Sequence, residues 1–266
     1  ALDALDVAGD IAVGVDIVRR SVVYPLAQIV NNAGGNGQQA VEELGEIDDP
    51  SIGFNALTRK YENLIEAGIL DPLAVIQSSL RSAAGAAIEI LTTETAVKYI
   101  PEQRDTVAQA ETEKDHSLSR THYQTTILFG EHGRDALRRG ANTLAEVVKT
   151  THGPRGLNVM IARNSLTGAR TPAVSRDGAA VAREIQLPHA AENMGAQLLR
   201  EATLQTDVLV GDGTTTAAVL AQAILQKSHL QVAVGRNPMS LRRGLQLAAT
   251  YVDSFIHDKA QSIANY

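Results

Sequence analysis

Apolar residues recur along most of the chain at the spacing of a helical face. Residues 11–31 carry Ile, Val and Leu three and four positions apart, which predicts a helix that Pro25 should kink. Asp71 is the predicted N-cap of a second long helix, and Pro72 should lie in the first turn of that helix. The same signals predict helices at about residues 37–44, 56–67, 71–91, 132–149, 191–207, 213–227 and 238–257, and one that begins at Gly178.

Strand patterns are few and short. LNVMIA at residues 157–162 is the best strand of the chain, and PAVSRD at 172–177 supplies a second one. RNSLTGARTP, residues 163–172, is the predicted tip of the hairpin between them. Strands this sparse do not build a doubly wound sheet. The predicted fold class is therefore mainly α, a multihelical domain with a small β-hairpin.

Residues 97–126 differ in character from the sequence on either side. This segment is polar, carries charges of both signs and has no sustained apolar face. Such a pattern predicts a linker or a peripheral segment.

Composition excludes several classes of function. Aromatic residues make up 3% of the chain, so the core must consist of Ala, Val, Leu and Ile, which favours closely packed helices. The net charge of −6 argues against a nucleic-acid partner. The chain has no Cys, which excludes disulfides, zinc–thiolate sites and thiol nucleophiles. No apolar run approaches the ~20 residues of a membrane span and ALDALDVAGD does not resemble a signal peptide, so a cytoplasmic protein without a membrane partner is expected.

The stretch GDGTTTAAVLAQAI, residues 211–224, places glycines, an acid and three threonines at a helix start. The first turn of a helix has N–H groups without helical partners, and glycines let an anion approach them, so the stretch suits a phosphate. It has no lysine and is not a Walker P-loop, so a metal held by Asp212 would have to offset the phosphate charge. The structural alternative is that Asp212 caps the helix and the threonines solvate its first turn.

Two further turns, TTHGPRG at 150–156 and SRDGAAVARE at 175–184, also place glycine at a helix boundary. Each turn alone is common, but the order and spacing of the three are more specific. Together with ENMGAQLLREA and GRNPMSLRRG, they resemble the N-terminal equatorial segment of the group I chaperonins of the GroEL type. PLAQIVNNAG, GFNALTRKYENLIEAGILDP and the TTE after the long helix are similar to the C-terminal equatorial segment of that family.

The resemblance implies an equatorial domain whose segments are in reversed order. Residues 1–96 resemble the C-terminal segment and residues 128–266 the N-terminal one, with residues 97–127 as the linker. Residues 1–266 would therefore form a single, circularly permuted equatorial domain. The intermediate and apical domains of the family have no counterpart in this sequence.

By this resemblance, the domain binds ATP or ADP with Mg²⁺ and K⁺. Asp212 would be the Mg²⁺ ligand, and Asp177 would be the catalytic carboxylate near the attacking water. The implied phosphate contacts are Thr151, Gly153, Pro154, Gly178, Gly213, Thr214, Thr215 and Thr216, and the Thr151 region would also help to seat K⁺. The adenosine pocket would be lined by Asn55, Ala56, Ile69 and Asp71.

Several departures from the family pattern bear on activity. A glycine triplet that closes over the nucleotide and the carboxylate of the intermediate domain have no counterpart here, and Arg176 replaces the usual lysine beside Asp177. Because phosphoryl transfer depends on positioning and electrostatics, hydrolysis is expected to be slow or absent. His152 stands where the family usually has an apolar residue; it either tunes anion binding or is a partly exposed loop histidine, and the second reading is favoured.

The resemblance also implies a homo-oligomer that assembles through equatorial contacts. The hairpin around residues 159–175 resembles the stem loop that pairs with a neighbouring subunit. In the intact family this supports ATP-driven protein folding, but a polypeptide client and a co-chaperonin are not expected without an apical domain. The alternative function is a ring-forming structural scaffold with a vestigial nucleotide site. An unrelated kinase-like phosphotransferase ranks lower, because the site lacks a base and a phosphate lysine.

Overall fold

The computed structural model describes residues 2–101, 123–162 and 172–262. Its helices are α1 (Gly9–Ser21), α2 (Tyr24–Asn32), α3 (Gly37–Gly45), α4 (Leu73–Thr92), α5 (Gly130–Val148), α6 (Gly178–Glu184), α7 (Ala190–Val210), α8 (Thr214–Ala233) and α9 (Pro238–Lys259). Its strands are β1 (Ile52–Asn55), β2 (Lys60–Asn63), β3 (Thr95–Pro101), β4 (Tyr123–Phe129), β5 (Val159–Ala162) and β6 (Pro172–Ser175). The predicted fold class, a mainly α, multihelical domain, is confirmed.

Small residues at the helix crossings let the core pack closely. α5 and α7 cross at Gly140 and Gly195, where an added Cβ would lie 1.7 Å from the Glu192 carbonyl oxygen and 1.9 Å from the Leu137 carbonyl oxygen, respectively. The two central helices, α4 and α8, bury alanines over most of their length: Ala83, Ala84, Ala86, Ala87, Ala217, Ala218, Ala221 and Ala223. The expectation of a core built from small aliphatic residues is confirmed.

The first predicted helix is divided in two. α1 ends at Ser21 and α2 begins at Tyr24, with Pro25 in the first turn of α2. Proline lacks an N–H group and its ring clashes with the carbonyl four residues earlier, so it fits the start of a helix better than its interior.

The helix predicted at residues 56–67 is wrong, because these residues belong to a β-hairpin and its flanking turns. β1 pairs with β2 in antiparallel fashion. The Asn55 side chain accepts a hydrogen bond from the Leu57 N–H at 2.9 Å, which stabilises the turn between the strands. Phe54 and Tyr61 pack edge to face across the hairpin, with ring centroids 5.5 Å apart. A local side-chain turn and a cross-strand aromatic pair thus override a short amphipathic pattern.

The capping role predicted for Asp71 is also wrong. The N-cap of α4 is Pro72, in extended conformation, and no side chain caps this helix end. A proline restricts the residue before it to extended geometry, and this leaves Asp71 one position too early to reach the first free N–H groups.

The described residues form three two-stranded antiparallel sheets, whereas a single hairpin was predicted. The pairs are β1–β2, β3–β4 and β5–β6. β3 and β4 extend into both ends of the predicted linker, where Val97 lies opposite Ile127 and Pro101 opposite Tyr123. The remainder of that linker, 102–122, and residues 163–171 of the predicted hairpin tip lie outside the described residues.

None of the helices in the described part of the chain combines the length and the apolar character that crossing a bilayer requires.

Candidate functional site

Three glycine-containing turns meet at one place in the fold. They precede α6, precede α8 and follow α5. The hydroxyl oxygens of Thr151 and Thr215 lie 3.5 Å apart. A Cβ added to Gly178 would lie 2.2 Å from the Thr215 hydroxyl and 3.5 Å from the Thr151 hydroxyl. The sequence-predicted residues Thr151, Gly178 and Thr215 are therefore in contact, although the two threonines are 64 positions apart in the sequence.

The start of α8 is not capped by a side chain. Its N-cap is Gly213, in left-handed conformation at φ 91°, which a glycine adopts without strain. Asp212 does not cap the helix, because its Oδ1 accepts a hydrogen bond from the adjacent Gly213 N–H at 2.6 Å. The structural alternative for Asp212 is therefore wrong. The first N–H groups of α8 remain available, and Thr214, Thr215 and Thr216 occupy that first turn.

A side chain of α4 also contacts Gly213 and holds it in place. The Ser79 hydroxyl donates to the Gly213 carbonyl oxygen at 3.2 Å, and a Cβ on Gly213 would lie 2.4 Å from that hydroxyl. Ser79 is fully buried. The turn before α8 therefore keeps its shape through a contact that no local sequence signal reveals.

The start of α6 has a different arrangement, because Asp177 caps it. Its Oδ1 accepts from the Ala179 N–H and its Oδ2 from the Ala180 N–H, each at 3.0 Å. The side chain is exposed, and each of its two oxygens takes part in the cap. Asp177 therefore has a structural role in addition to the catalytic one that the resemblance implies.

The turn at 150–156 is held by side chains from other parts of the chain. Asn32, at the end of α2, donates from Nδ2 to the carbonyl oxygens of Lys149 at 3.0 Å and His152 at 2.9 Å. Arg176 donates to the Gly153 carbonyl oxygen at 3.0 Å and also to that of Pro154. The arginine beside Asp177 thus braces the turn.

His152 is buried in this turn, which corrects the expectation of a partly exposed loop histidine. The residue is 8% exposed, and its Nε2 has no hydrogen-bond partner among the described residues. Burial lowers the pKa of the imidazole to about 4, and the Asp212 carboxylate opposes that shift without cancelling it. The ring is therefore neutral at pH 7.

The residues predicted to line an adenosine pocket divide into two groups. Asn55 and Ala56 are buried at the end of β1, and Arg155 donates a hydrogen bond at 2.7 Å to the carbonyl oxygen of the following residue, Leu57. This bond joins the β1–β2 turn to the turn at 150–156. Ile69 and Asp71 are exposed, and the described contacts give neither of them a link to the three turns.

The available donors are suited to hard cations. Asp212, Asp177 and the threonines supply oxygen atoms, which Mg²⁺ prefers, and Mg²⁺ commonly binds one or two carboxylates together with substrate phosphates. Within the described ranges, no three His, Cys, Asp or Glu side chains are grouped so that they could hold a metal ion by themselves. The residues present therefore fit a cation that arrives with a phosphate ligand rather than an all-protein metal cage.

The match to known proteins agrees with this arrangement. The family model described as the TCP-1/cpn60 chaperonin family matches residues 3–101 and 144–265. These two stretches contain the β1–β2 hairpin and all three turns, and they leave residues 102–143 between them. The chain therefore belongs to the TCP-1/cpn60 chaperonin family, whose members are generally ATP-dependent chaperonins that bind ATP with Mg²⁺ and form oligomeric rings.

Proposed function

We propose that this chain is a group I equatorial domain in circularly permuted order, and that it binds ATP or ADP with Mg²⁺ and K⁺. The observation that carries the proposal is the convergence of Thr151, Gly178 and Thr215 at the starts of α6 and α8. A phosphate placed there would accept hydrogen bonds from hydroxyls and from the first N–H groups of α8. Helix dipoles also favour an anion at such a point.

Asp212 is the proposed magnesium ligand. Only one of its oxygens takes part in the local hydrogen bond to Gly213, at 2.6 Å. A bound Mg²⁺ would offset the negative charge of the phosphates. Asp212, the threonine hydroxyls and the backbone around Thr151 would position the phosphates and the two cations, and buried Asn55 and Ala56 would contact the adenosine.

The β3–β4 sheet supports the permuted order. It pairs the end of the first family-like segment with the start of the second, with Thr95 opposite Phe129. Next to this pair, the Gly130 N–H donates to the Glu94 carbonyl oxygen at 2.7 Å, and Arg134 forms an ion pair with the Glu94 side chain. The two segments are thus adjacent where a linker has to join them.

We propose that these residues alone hydrolyse ATP slowly or not at all. The resemblance assigns the water-orienting carboxylate to an intermediate domain whose motifs do not occur among the 266 residues. Asp177, the carboxylate of this chain that would lie near the attacking water, uses both oxygens to cap α6. Loss of a positioned general base typically lowers a rate by about 10²- to 10⁴-fold.

Calorimetric titration with ATP and ADP in Mg²⁺ and K⁺ tests nucleotide binding. We expect a Kd near micromolar, which corresponds to about −8 kcal/mol. Asp212→Ala should weaken binding at least about ten-fold, since even the outer partners of metal ligands contribute that much. Asp258→Ala, an exposed acid near the end of α9, is the matched control and should bind like the wild type. Failure of the wild type to bind at millimolar ATP would contradict the proposal.

The alternative, a ring-forming scaffold, is favoured by a different observation. Met160 and Val174 are opposite each other in the β5–β6 sheet, and they are 71% and 61% exposed. Exposed apolar pairs on a two-stranded sheet invite pairing with another chain. A protein that assembles but does not bind nucleotide would support this function instead.

A further inference from the structure

The ring of His152 has a buried nitrogen that lacks a partner. Its Nε2 is shielded from solvent, and no described residue forms a hydrogen bond with it. Buried polar atoms of folded proteins nearly always have a partner, and an unsatisfied one destabilises the fold. In a turn where a ligand is proposed to bind, the missing partner can be an atom of that ligand.

The backbone N–H and carbonyl groups of His152 both have hydrogen-bond partners, so the ring Nε2 is the atom that lacks one. The His152 N–H donates to the Lys149 carbonyl oxygen at 3.1 Å, and the His152 carbonyl oxygen accepts from Asn32 at 2.9 Å. The neighbouring Thr151 lies 3.5 Å from Thr215, hydroxyl to hydroxyl. Because Thr215 belongs to the 211–216 turn, this contact places the turn that carries His152 against it.

We propose that His152 Nε2 donates a hydrogen bond to a phosphate oxygen of the bound nucleotide. The proposal rests on the nucleotide-binding function proposed above and adds a phosphate-binding residue to that site. The family resemblance places an apolar residue at this position, so the contact is a property of this chain.

The chemistry of a buried neutral imidazole suits this role. One ring nitrogen of a neutral imidazole carries a proton and can donate. A hydrogen bond from a neutral donor to an anionic oxygen is roughly twice as strong as one between neutral groups. Asp212 does not accept this hydrogen bond, because Nε2 has no partner among the described residues.

The test combines ring resonances with binding measurements on the whole chain. The ¹⁵N shifts of the histidine rings are followed while inorganic pyrophosphate with Mg²⁺, and then ADP with Mg²⁺, are added to the wild type. Calorimetry gives the affinities of wild type, His152→Leu and His152→Gln. His257→Leu, at an exposed position of α9, is the matched control.

We expect the His152 ring signal to shift with pyrophosphate and with ADP. His152→Leu should weaken pyrophosphate binding about ten-fold, the effect of losing one charge-assisted hydrogen bond. His152→Gln keeps an N–H donor and should retain part of the affinity, whereas His257→Leu should change nothing. If His152→Leu does not fold, the wild-type ring shift and the affinity of His152→Gln still test whether Nε2 contacts a phosphate.

Three outcomes would overturn the inference. If ADP binds while the ring signal stays unchanged and His152→Leu keeps wild-type affinity, a buried water satisfies Nε2 and the nucleotide-binding proposal stands without it. A ring shift on adding Mg²⁺ alone would make His152 a cation ligand instead. If neither ADP nor pyrophosphate binds the wild type, both this inference and the proposed function fail.

Discussion

Gly178 determines how closely the start of α6 approaches the threonine hydroxyls of α8. A Cβ at this position would lie 2.2 Å from the Thr215 hydroxyl, so Gly178→Ala forces one of the two to move. We expect the free energy of unfolding to fall by about 1–3 kcal/mol, as in other overpacked sites. Gly85→Ala in α4 is the control, because nothing lies within 4 Å of an added Cβ there and alanine favours a helix. Urea denaturation of both variants checks the prediction, and equal stabilities would contradict it.

His152 makes the stability of the chain depend on pH in the acid range. An unfolded histidine binds a proton near pH 6.5, whereas the folded ring does so near pH 4, because burial disfavours the charged form. Its contribution is therefore fully present above pH 6.5 and is lost as the pH falls towards 4. The loss is about 3 kcal/mol at most. His152→Leu should remove this part of the pH dependence in denaturation curves measured between pH 7 and pH 4. A variant whose curve parallels that of the wild type would show that the ring is accessible to protons.

Local motifs predicted where helices of the candidate site begin, whereas the long-range contacts around it could not be predicted. The glycines and threonines of GDGTTT predict a helix start whose first N–H groups can bind an anion. The structure has a helix start there, and no side chain caps it. Asn32 and Ser79 carry no such signal, because their partners are 117 and 134 positions away along the chain. The burial of His152 was missed for the same reason, since a turn is normally exposed and only the surrounding packing encloses it.

At the level of elements, Asp177 caps the start of α6. Asp177→Ala should lower the free energy of unfolding by about 1 kcal/mol, because the two capped N–H groups at 3.0 Å lose their acceptor. Asp177→Ser and Asp177→Asn keep a capping oxygen and should stay close to the wild type. Chemical denaturation measures the three variants. If serine and asparagine destabilise the chain as much as alanine does, the negative charge rather than the cap is what stabilises α6.

Long helices were predictable, and of the short strands only the β5–β6 pair was. α9, with 22 residues, buries positions that lie three and four residues apart, and its Asn237 cap adds an independent signal. The β1 and β2 strands have four residues each, too few for a period to be distinguished from a helical turn. Their pairing depends on the Asn55 turn and on the contact between Phe54 and Tyr61. The spacing of apolar residues along the sequence reveals neither of these interactions. β3 and β4 were missed because they pair with each other from opposite ends of a polar segment.

For the whole molecule, we expect a second copy of the chain to bind at the β5–β6 sheet. The β5–β6 sheet has two strands and carries Met160 and Val174 side by side, 71% and 61% exposed. A sheet of two strands has unpaired backbone groups on its outer edges, and an apolar pair beside them adds area that another chain can bury. The family generally forms rings, so we expect the wild type to sediment as an oligomer.

Met160→Lys and Val174→Lys should convert that oligomer into smaller species, because each places a charge in the contact surface. Leu230→Lys is the control, since this leucine is 63% exposed and belongs to α8 rather than to the hairpin. Sedimentation velocity compares the three variants with the wild type at equal concentration, with and without ADP. A wild type that sediments as a monomer, or hairpin variants that keep its size, would contradict assembly through β5–β6.

Smaller species that still bind ADP with wild-type affinity would show that the site is complete within one chain, because Thr151, Gly178 and Thr215 all come from the same subunit.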